Sequence, residues 1–255
     1  MSNSETLDQL MPGNLQLWQA KEGHRYSIDA VLLARFVRLG TCRQLADLGT
    51  GNAVLPLLLA SLTGDAHICG FELQQEMVAR ARRNVELNGL AERISICATD
   101  IRNIRDIWEP GAMDLVVSNP PYRAPISGRV APNDERAHAR HELAGTIDDF
   151  ALAAAWLLKN GGRFAVVYLV ERLNQLFIAM TRAGLEPKRL RMIHATAHSA
   201  ARLVLVEGIK GGRPGLQVEK PLVLYESCQA ERRYTEEVEQ MYGNDGAEGQ
   251  RSCFL

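Results

Sequence analysis

Short runs of apolar residues alternate along the chain with longer stretches in which apolar positions recur every three or four residues. The short runs are typical of buried strands, and the longer stretches are typical of amphipathic helices. This alternation favours a largely parallel sheet, because parallel neighbours need a crossover connection that is usually a helix. The pattern predicts seven strands, at residues 44–48, 67–71, 94–98, 114–117, 163–169, 190–194 and 202–209.

Two of the helical stretches carry clear end signals. "QQEMVARARRNVELNGL" has Met77, Ala81 and Val85 at helical spacing and stops at an Asn-Gly pair. "TIDDFALAAAWLLKNGG" begins with the capping residue Thr146, and we expect it to end at Gly161. The sequence therefore predicts an α/β fold, a single domain built on a seven-stranded, mostly parallel sheet with helices on both faces. We divide the chain into an N-terminal cap segment (1–40), the sheet domain (41–225) and a C-terminal helix and tail (226–255).

Composition and charge narrow the class of protein. At 255 residues, 46% of them hydrophobic, the chain can bury one sizeable core. The formal net charge is -1, so a site for a polyanion must be a local patch, and the basic stretch 182–213 is the candidate. The five cysteines form no CxxC pair, which disfavours a disulfide framework or a zinc site. We see no secretory leader and no apolar run of about 18 residues, so we expect a cytoplasmic protein without a membrane partner.

A glycine-rich turn follows the first predicted sheet strand. "LADLGTGNAV" places five candidate ligand-binding residues where this strand passes into a helix. Glycines at such a turn let a ligand approach the backbone closely, at the crevice beyond the strand ends. The third small residue of a dinucleotide fingerprint is replaced by Val54, and no phosphate-binding GxxxxGK[ST] segment exists. An ordinary strand-to-helix turn remains the alternative. The five residues are Asp47, Gly49, Thr50, Gly51 and Asn52.

Acidic residues end the next two predicted strands. Glu72, followed by Leu73, can accept both hydroxyls of a ribose, and Asp100, followed by Ile101, can accept an adenine amino hydrogen. Each acid alone could be an ordinary surface residue. Together with the glycine turn, and without a phosphate grip, they indicate adenosine without pyrophosphate, which predicts S-adenosylmethionine as the cofactor.

The fourth predicted strand runs into "SNPPY", which cannot extend it. Pro120 and Pro121 lack backbone donors and stiffen the exit, so the segment presents something rigidly. The Asn119 side-chain oxygen and the Pro120 carbonyl could accept the two hydrogens of an exocyclic amine and free its lone pair for methylation. Tyr122 offers a flat face for a target base. A proline-stiffened loop without chemistry is the alternative.

At these residues the sequence resembles the class I S-adenosylmethionine-dependent amino-methyltransferases with an NPPY motif. It is most similar to the bacterial family that methylates N6 of an adenine beside the anticodon of a valine tRNA. Besides the glycine turn and "SNPPY", the resemblance rests on "GHRYSIDAVLLARF", "ARHE", "RLVLVEGIKGG" and "YTEEV", and it covers most of the chain. Arg123 stands where members often carry an aromatic residue.

The resemblance implies a Rossmann-like fold, S-adenosylmethionine as cofactor and tRNA as substrate. It implies that the methionine end of the cofactor is lined by Asp47, Gly49 and Gly51. It also implies that Glu72 binds the ribose, that Asp100 binds the adenine, and that residues 119–122 hold the target amine. Arg25, Tyr26 and Asp29 could close over the cofactor, or their segment could be a helix packed on the sheet edge.

Other functions stay open at this point. An enzyme that methylates a glutamine side-chain amide would face the same two hydrogens, and a DNA adenine methyltransferase or a non-catalytic S-adenosylmethionine-binding protein are further alternatives. His138, His141 and Glu142 match no metal motif, so we expect no metal site. The sequence leaves the oligomeric state open. The segment with His138, His141 and Glu142 is better interpreted as a flap over the target pocket. The flap would also include Arg123, Arg129, Arg136 and Arg140.

Overall fold

A computed structural model describes residues 5–10, 14–21, 27–121, 145–227 and 233–243. Within these residues the chain forms one large nine-stranded sheet and a separate two-stranded hairpin. The hairpin consists of β1 (Glu5–Leu10) and β2 (Leu15–Ala20). The strands of the sheet are β3 (Gln44–Leu48), β4 (His67–Glu72), β5 (Ile94–Ala98), β6 (Met113–Ser118), β7 (Leu158–Leu169), β8 (Leu185–His194), β9 (Ala201–Lys210), β10 (Gln217–Val218) and β11 (Leu222–Val223).

The strands lie in the order β10-β8-β9-β7-β6-β3-β4-β5, and β11 pairs with the edge of β8. All neighbours are parallel except β9, which runs antiparallel between β7 and β8. The chain order reverses between β3 and β6, and in such sheets ligands bind beyond the carboxyl ends of the strands at the reversal. The helices are α1 (Ile28–Phe36), α2 (Val54–Leu62), α3 (Gln75–Leu87), α4 (Ile104–Ile107), α5 (Ile147–Leu157), α6 (Leu173–Arg182) and α7 (Glu236–Met241).

Each face of the sheet buries its own apolar layer. Successive residues of a strand point to opposite faces, so Leu115 and Val117 join the layer under α1, α2 and α3, whereas Val116 joins the layer under α4, α5 and α6. The central strands are apolar on both faces, which is the pattern that a parallel sheet covered by helices requires. No helix in the described ranges is long and apolar enough to cross a membrane.

The predicted fold class is confirmed, and all seven predicted strands lie in the sheet. The predicted end of the helix at Gly161 was wrong, because α5 ends at Leu157 and β7 begins at the next residue. Leu158 is fully buried and pairs with Met113, and the ladder then shifts register before Arg163. Gly161 and Gly162 therefore lie at an irregularity inside the strand β7. A Cβ on Gly162 would lie 2.8 Å from the Lys159 carbonyl oxygen.

The hairpin and the two short strands β10 and β11 were not predicted. The hairpin lies within the segment 1–40, and its strand β2 packs against α3. Our division of the chain at residues 40 and 225 stays a prediction.

Candidate active site

The carboxyl ends of four parallel strands meet at one edge of the sheet. Leu48 at the end of β3 is in register with Phe71 on β4 and with Ser118 on β6. Glu72 on β4 is in register with Ala98 on β5. The structure therefore brings the glycine turn, both predicted acids and the Asn-Pro-Pro segment to the same edge, as the sequence pattern indicated.

The glycine turn is fixed to the end of β4 by backbone hydrogen bonds. The amides of Gly49 and Thr50 both donate to the Phe71 carbonyl, each at 2.9 Å. Gly49 and Gly51 have φ angles of 73° and 54°, in the left-handed region that favours glycine. Gly70 on β4 has no room for a side chain, because a Cβ there would lie 2.8 Å from the Thr50 side chain. The turn therefore packs tightly against β4, and its backbone conformation requires glycine at positions 49 and 51.

Glu72 fastens the open side of this turn. One carboxylate oxygen accepts a hydrogen bond from the Gly51 amide at 2.9 Å, and the other accepts one from the Gln74 amide at 2.8 Å. The side chain is almost fully buried. Each carboxylate oxygen can accept a second hydrogen bond, so Glu72 can hold the turn and still bind a hydroxyl.

Asp47 is a buried acid without a partner. It is 1% exposed, and neither of its carboxyl oxygens makes a hydrogen bond within the part of the chain that the structure describes. Burial raises the pKa of the Asp47 carboxyl to about 7, and the negative charge of Glu72 raises it further. The nearby Thr50 side chain lowers this pKa, although the Thr50 hydroxyl makes no hydrogen bond within the described residues. Buried oxygens without partners in a native fold call for an explanation, and a polar ligand beside the turn would supply one.

Asp100 is engaged by a nearby arginine. Its carboxylate accepts hydrogen bonds from the Arg102 backbone amide and from the Arg102 Nε, both at 2.9 Å. The hydrogen bonds from Arg102 lower the pKa of Asp100, although partial burial opposes them. Ile101 is buried in the core and Leu73 is half-buried. Asp100 thus lies at the predicted edge, but it is paired with a side chain that the sequence pattern did not indicate.

A second buried side chain behind the turn was missed. Asn84 on α3 is fully buried, and its Nδ2 donates to the Asn52 carbonyl at 3.0 Å. The Asn52 side-chain oxygen accepts from Arg80 at 3.3 Å. The available signal was that Asn84 shares the helix face of Val78, Ala81 and Val85, where a polar residue needs a hydrogen-bonding reason to be buried.

The Asn-Pro-Pro segment begins directly beyond β6. The Ser118 hydroxyl donates to the Leu48 carbonyl at 2.8 Å, which ties the end of β6 to the residue before the glycine turn. Asn119 and Pro121 are half-buried and Pro120 is buried. This hydrogen bond and the strand register place the predicted amine-binding residues next to the predicted cofactor turn.

Several predicted residues lie outside the described residues. These include Tyr122, Arg25 and Tyr26, together with the proposed flap and its His138, His141 and Glu142. Asp29 is described and is almost buried in the first turn of α1. Among the described residues, no group of three or more histidine, cysteine or acidic side chains is arranged to hold a metal ion.

Comparison with known proteins shows which family the chain belongs to. A family model for a methyltransferase domain matches residues 43–232. A tRNA1(Val) (adenine(37)-N6)-methyltransferase of Tolumonas auensis is 31% identical over 212 residues, which cover 82% of this chain and 84% of the relative. A protein of the same name from Parabacteroides distasonis is 26% identical, over 87% of this chain and 90% of the relative.

Solved structures agree on the fold. A predicted O-methyltransferase from Agrobacterium tumefaciens superposes with a TM-score of 0.69 at 23% identity, covering 88% of this chain and 100% of that one. TYW2 of P. horikoshii, in complex with MeSAdo, gives a TM-score of 0.56 at 17% identity, over 83% of this chain and 73% of that one.

The sheet, its order of strands and these matches define the class: the protein is a methyltransferase with a Rossmann-like fold. The chain belongs to the methyltransferase domain family and, within it, to the group of the tRNA1(Val) (adenine(37)-N6)-methyltransferases.

Proposed function

We propose that this protein transfers a methyl group from S-adenosylmethionine to the exocyclic N6 amine of adenine 37 in a valine tRNA. Relatives that carry this name match most of the chain. The observation that carries the proposal is the hydrogen bond from Ser118 to Leu48, which sets the Asn-Pro-Pro segment beside the glycine turn. A tRNA substrate also supports the cytoplasm as the compartment in which the protein acts.

The residues at the edge fit the cofactor. Glu72 is fixed by two backbone amides and keeps acceptor capacity for the ribose hydroxyls. The unpartnered oxygens of Asp47 suit the polar methionine end. Asp100 can accept a hydrogen bond from the adenine amine once the Arg102 side chain moves aside. The Arg102 side chain is 44% exposed, so this movement needs little repacking. When bound, the cofactor supplies an electrophilic methyl carbon on a positively charged sulfur.

Asn119 and Pro120 act on the substrate amine. The Asn119 side-chain oxygen and the Pro120 carbonyl accept its two hydrogens, so the nitrogen lone pair withdraws from the ring and points toward the methyl carbon. Positive charge grows on this nitrogen as it reacts, and the two acceptors therefore bind the transition state more tightly than the ground state. Pro120 is buried and its ring restricts the backbone, so the two acceptor oxygens keep their positions during the reaction. No general base has to act before the transfer.

The substrate can be tested with labelled S-adenosylmethionine and three acceptors: an unmodified valine tRNA transcript, the same transcript with guanosine at position 37, and total cell protein. We expect label only in the first transcript. Label in protein but not in RNA would instead support a glutamine amide as substrate. Label in the guanosine transcript would show that the target is a different nucleotide.

The role of Asn119 can be tested by substitution. We expect Asn119→Ala to reduce methyl transfer at least about 100-fold, the order of magnitude for removal of one transition-state hydrogen-bonding group, while S-adenosylmethionine still binds in calorimetry. Asn160→Ala, at an exposed position at the amino end of the sheet, is the matched control and should keep full activity. Unchanged turnover in Asn119→Ala would refute the two-acceptor mechanism.

A further inference from the structure

The basic stretch 182–213 does not form a single surface. Arg189 is buried in an ion cluster, and Arg191 pairs with Glu237. The Nζ atoms of Lys188 and Lys210 donate to backbone carbonyls, at 3.0 and 2.8 Å. The remaining members, Arg182, Arg202 and Arg213, are exposed and make no side-chain hydrogen bond or ion pair within the described ranges.

Of these three, only Arg202 lies at the edge where the carboxyl ends of the parallel strands meet, which we call the catalytic edge. Because β9 runs antiparallel to its neighbours, its first residues lie beside the carboxyl ends of β7 and β8, and Leu203 pairs with Leu169. On the other side of β7, Val166 is in register with Ser118, so Leu169 lies three residues further toward the catalytic edge. Arg202 therefore lies about two strand spacings, roughly 10 Å, to the side of the Asn-Pro-Pro segment.

Arg172 reaches the same edge from a different element. It ends the short 3-10 turn Val170–Arg172 that follows β7, and this turn packs against β9. Arg172 is half-buried and, among the described residues, its side chain has no hydrogen-bond or ion-pair partner. Arg182 lies at the opposite end of the following helix α6, about 15 Å away at 1.5 Å per residue.

The loop between β8 and β9 holds this part of the edge in a fixed shape. The Ser199 hydroxyl accepts from the Thr196 amide and donates to the Thr196 carbonyl, both at 2.9 Å. The His194 ring Nδ1 lies 2.7 Å from the Ser199 carbonyl oxygen. Thr196 is buried, whereas His198 at the tip of the loop is exposed and makes no side-chain contact of this kind in the described part of the chain.

We propose that Arg172 and Arg202, which we call the β9 rim, bind backbone phosphates of the tRNA next to the target nucleotide. This inference rests on the proposed tRNA substrate. Guanidinium groups that spend no hydrogen bonds within the protein can offer a bidentate pair to a phosphate. Exposed Glu171 adjoins Arg172, so the rim provides a few directed contacts rather than a broad positive field. Phosphate contacts fix the position of the RNA, and base contacts at the pocket specify it.

The chain offers a matched control for the rim. The double variant Arg172→Gln/Arg202→Gln and the control Arg182→Gln/Arg213→Gln remove the same charge. The rim residues lie near the start of α6 and β9, whereas the control residues lie at the end of α6 and just after β9. We expect the rim variant to bind the valine tRNA transcript at least about tenfold more weakly and to raise the KM for tRNA. The slope of log affinity against log salt should fall by about 1.4 to 1.8 for two lost phosphate contacts. Its affinity for S-adenosylmethionine and the tRNA affinity of the control should stay at the wild-type values.

Direct binding and methyl transfer are measured separately, so the two proposals can fail separately. Equal loss of tRNA affinity in both double variants would overturn the rim, because it would show that total charge matters and position does not. Wild-type tRNA affinity in the rim variant would overturn it as well. A third outcome is that the wild type binds the tRNA more tightly than the rim variant but transfers no methyl group to the transcript. This outcome would support the rim and overturn the proposed reaction.

Discussion

At the scale of single residues, Asp47 makes stability depend on pH in the cofactor-free protein. The pKa of its carboxyl is raised from 3.8 to about 7, so between these values the folded state holds a proton that the unfolded state releases. Stability therefore falls as pH rises through this window, by up to about 4 kcal/mol at 1.36 kcal/mol per pH unit. We expect Asp47→Asn, which cannot ionise, to be increasingly more stable than the wild type from pH 5 to 7, with a constant difference above pH 7.

Urea unfolding of both proteins at several pH values measures this difference. Asp106→Asn changes an exposed aspartate in the same way and serves as the control. If the stability of Asp47→Asn ran parallel to that of the wild type over the whole range, the buried carboxyl would not titrate in this window. The same variant should bind S-adenosylmethionine more weakly, since it has lost the ability to become an anion.

The sequence located site residues better than it located their partners. Asp47 and Glu72 lie at or next to the last residue of β3 and β4, and Asp100 and Asn119 follow β5 and β6. Parallel strands bring their carboxyl ends to one edge whatever the details of packing. The pairing of Asp100 with Arg102 depends on a side-chain conformation, which no residue spacing specifies. The roles assigned to these residues stay predictions until the variants are measured.

At the scale of secondary-structure elements, Asn84 on α3 and Asn88, the residue directly after α3, bind the edge of the hairpin as a further strand would. Asn84 accepts from the Trp18 amide at 2.7 Å and donates to the Trp18 carbonyl at 3.2 Å. Asn88, one helical turn later, accepts from the Gln16 amide at 2.9 Å and donates to the Gln16 carbonyl at 2.7 Å. Only Asn84 also reaches the Asn52 carbonyl at the glycine turn, so it joins hairpin, helix and turn.

This difference makes the two asparagines a matched pair for mutation. We expect Asn84→Ala to lower the free energy of unfolding by about 2 to 3 kcal/mol, because it leaves buried polar groups without partners, and also to weaken S-adenosylmethionine binding. Asn88→Ala should cost about 1 kcal/mol and leave cofactor affinity unchanged. Denaturant unfolding and calorimetry measure the two effects. Equal loss of cofactor affinity in both variants would show that the hairpin as a whole, and not the Asn84 contact to the turn, supports the site.

Element boundaries were predictable where a local signal decided them. The strands at 44–48 and 94–98 have the predicted bounds, and Thr146 caps α5 in a reciprocal pair with Asp149. The end of α5 was missed because burial of Leu158 against Met113, a contact between distant residues, overrides the helix-stop signal of the glycines. The hairpin was missed because its edge is hydrogen-bonded by the side chains of Asn84 and Asn88, and strand periodicity does not reveal such partners.

At the scale of the whole molecule, Arg189 joins four segments that are distant in sequence. Its guanidinium donates to Glu207 at 3.0 Å, to Glu219 at 2.8 Å and to the Phe36 carbonyl at 3.1 Å. It also lies 4.3 Å from the centre of the Phe36 ring. The contacts connect the end of α1 with β8, β9 and the segment after β10. The sequence showed only a basic stretch here, because pairing of Arg189 with acids 18 and 30 residues away depends on the folded sheet.

The cluster should therefore matter more for stability than any exposed ion pair of this protein. We expect Arg189→Met to lower the free energy of unfolding by about 3 to 5 kcal/mol, since it leaves the buried Glu207 carboxylate undercompensated. Arg189→Met/Glu207→Leu should recover much of this loss, because a buried ion pair replaced by apolar groups of similar size is often nearly neutral. Arg191→Met, which breaks the pair with half-exposed Glu237, should cost less than about 1 kcal/mol. If the double variant were as unstable as Arg189→Met, the hydrogen bond to Phe36 or the ring contact, and not the buried charge, would hold these segments together.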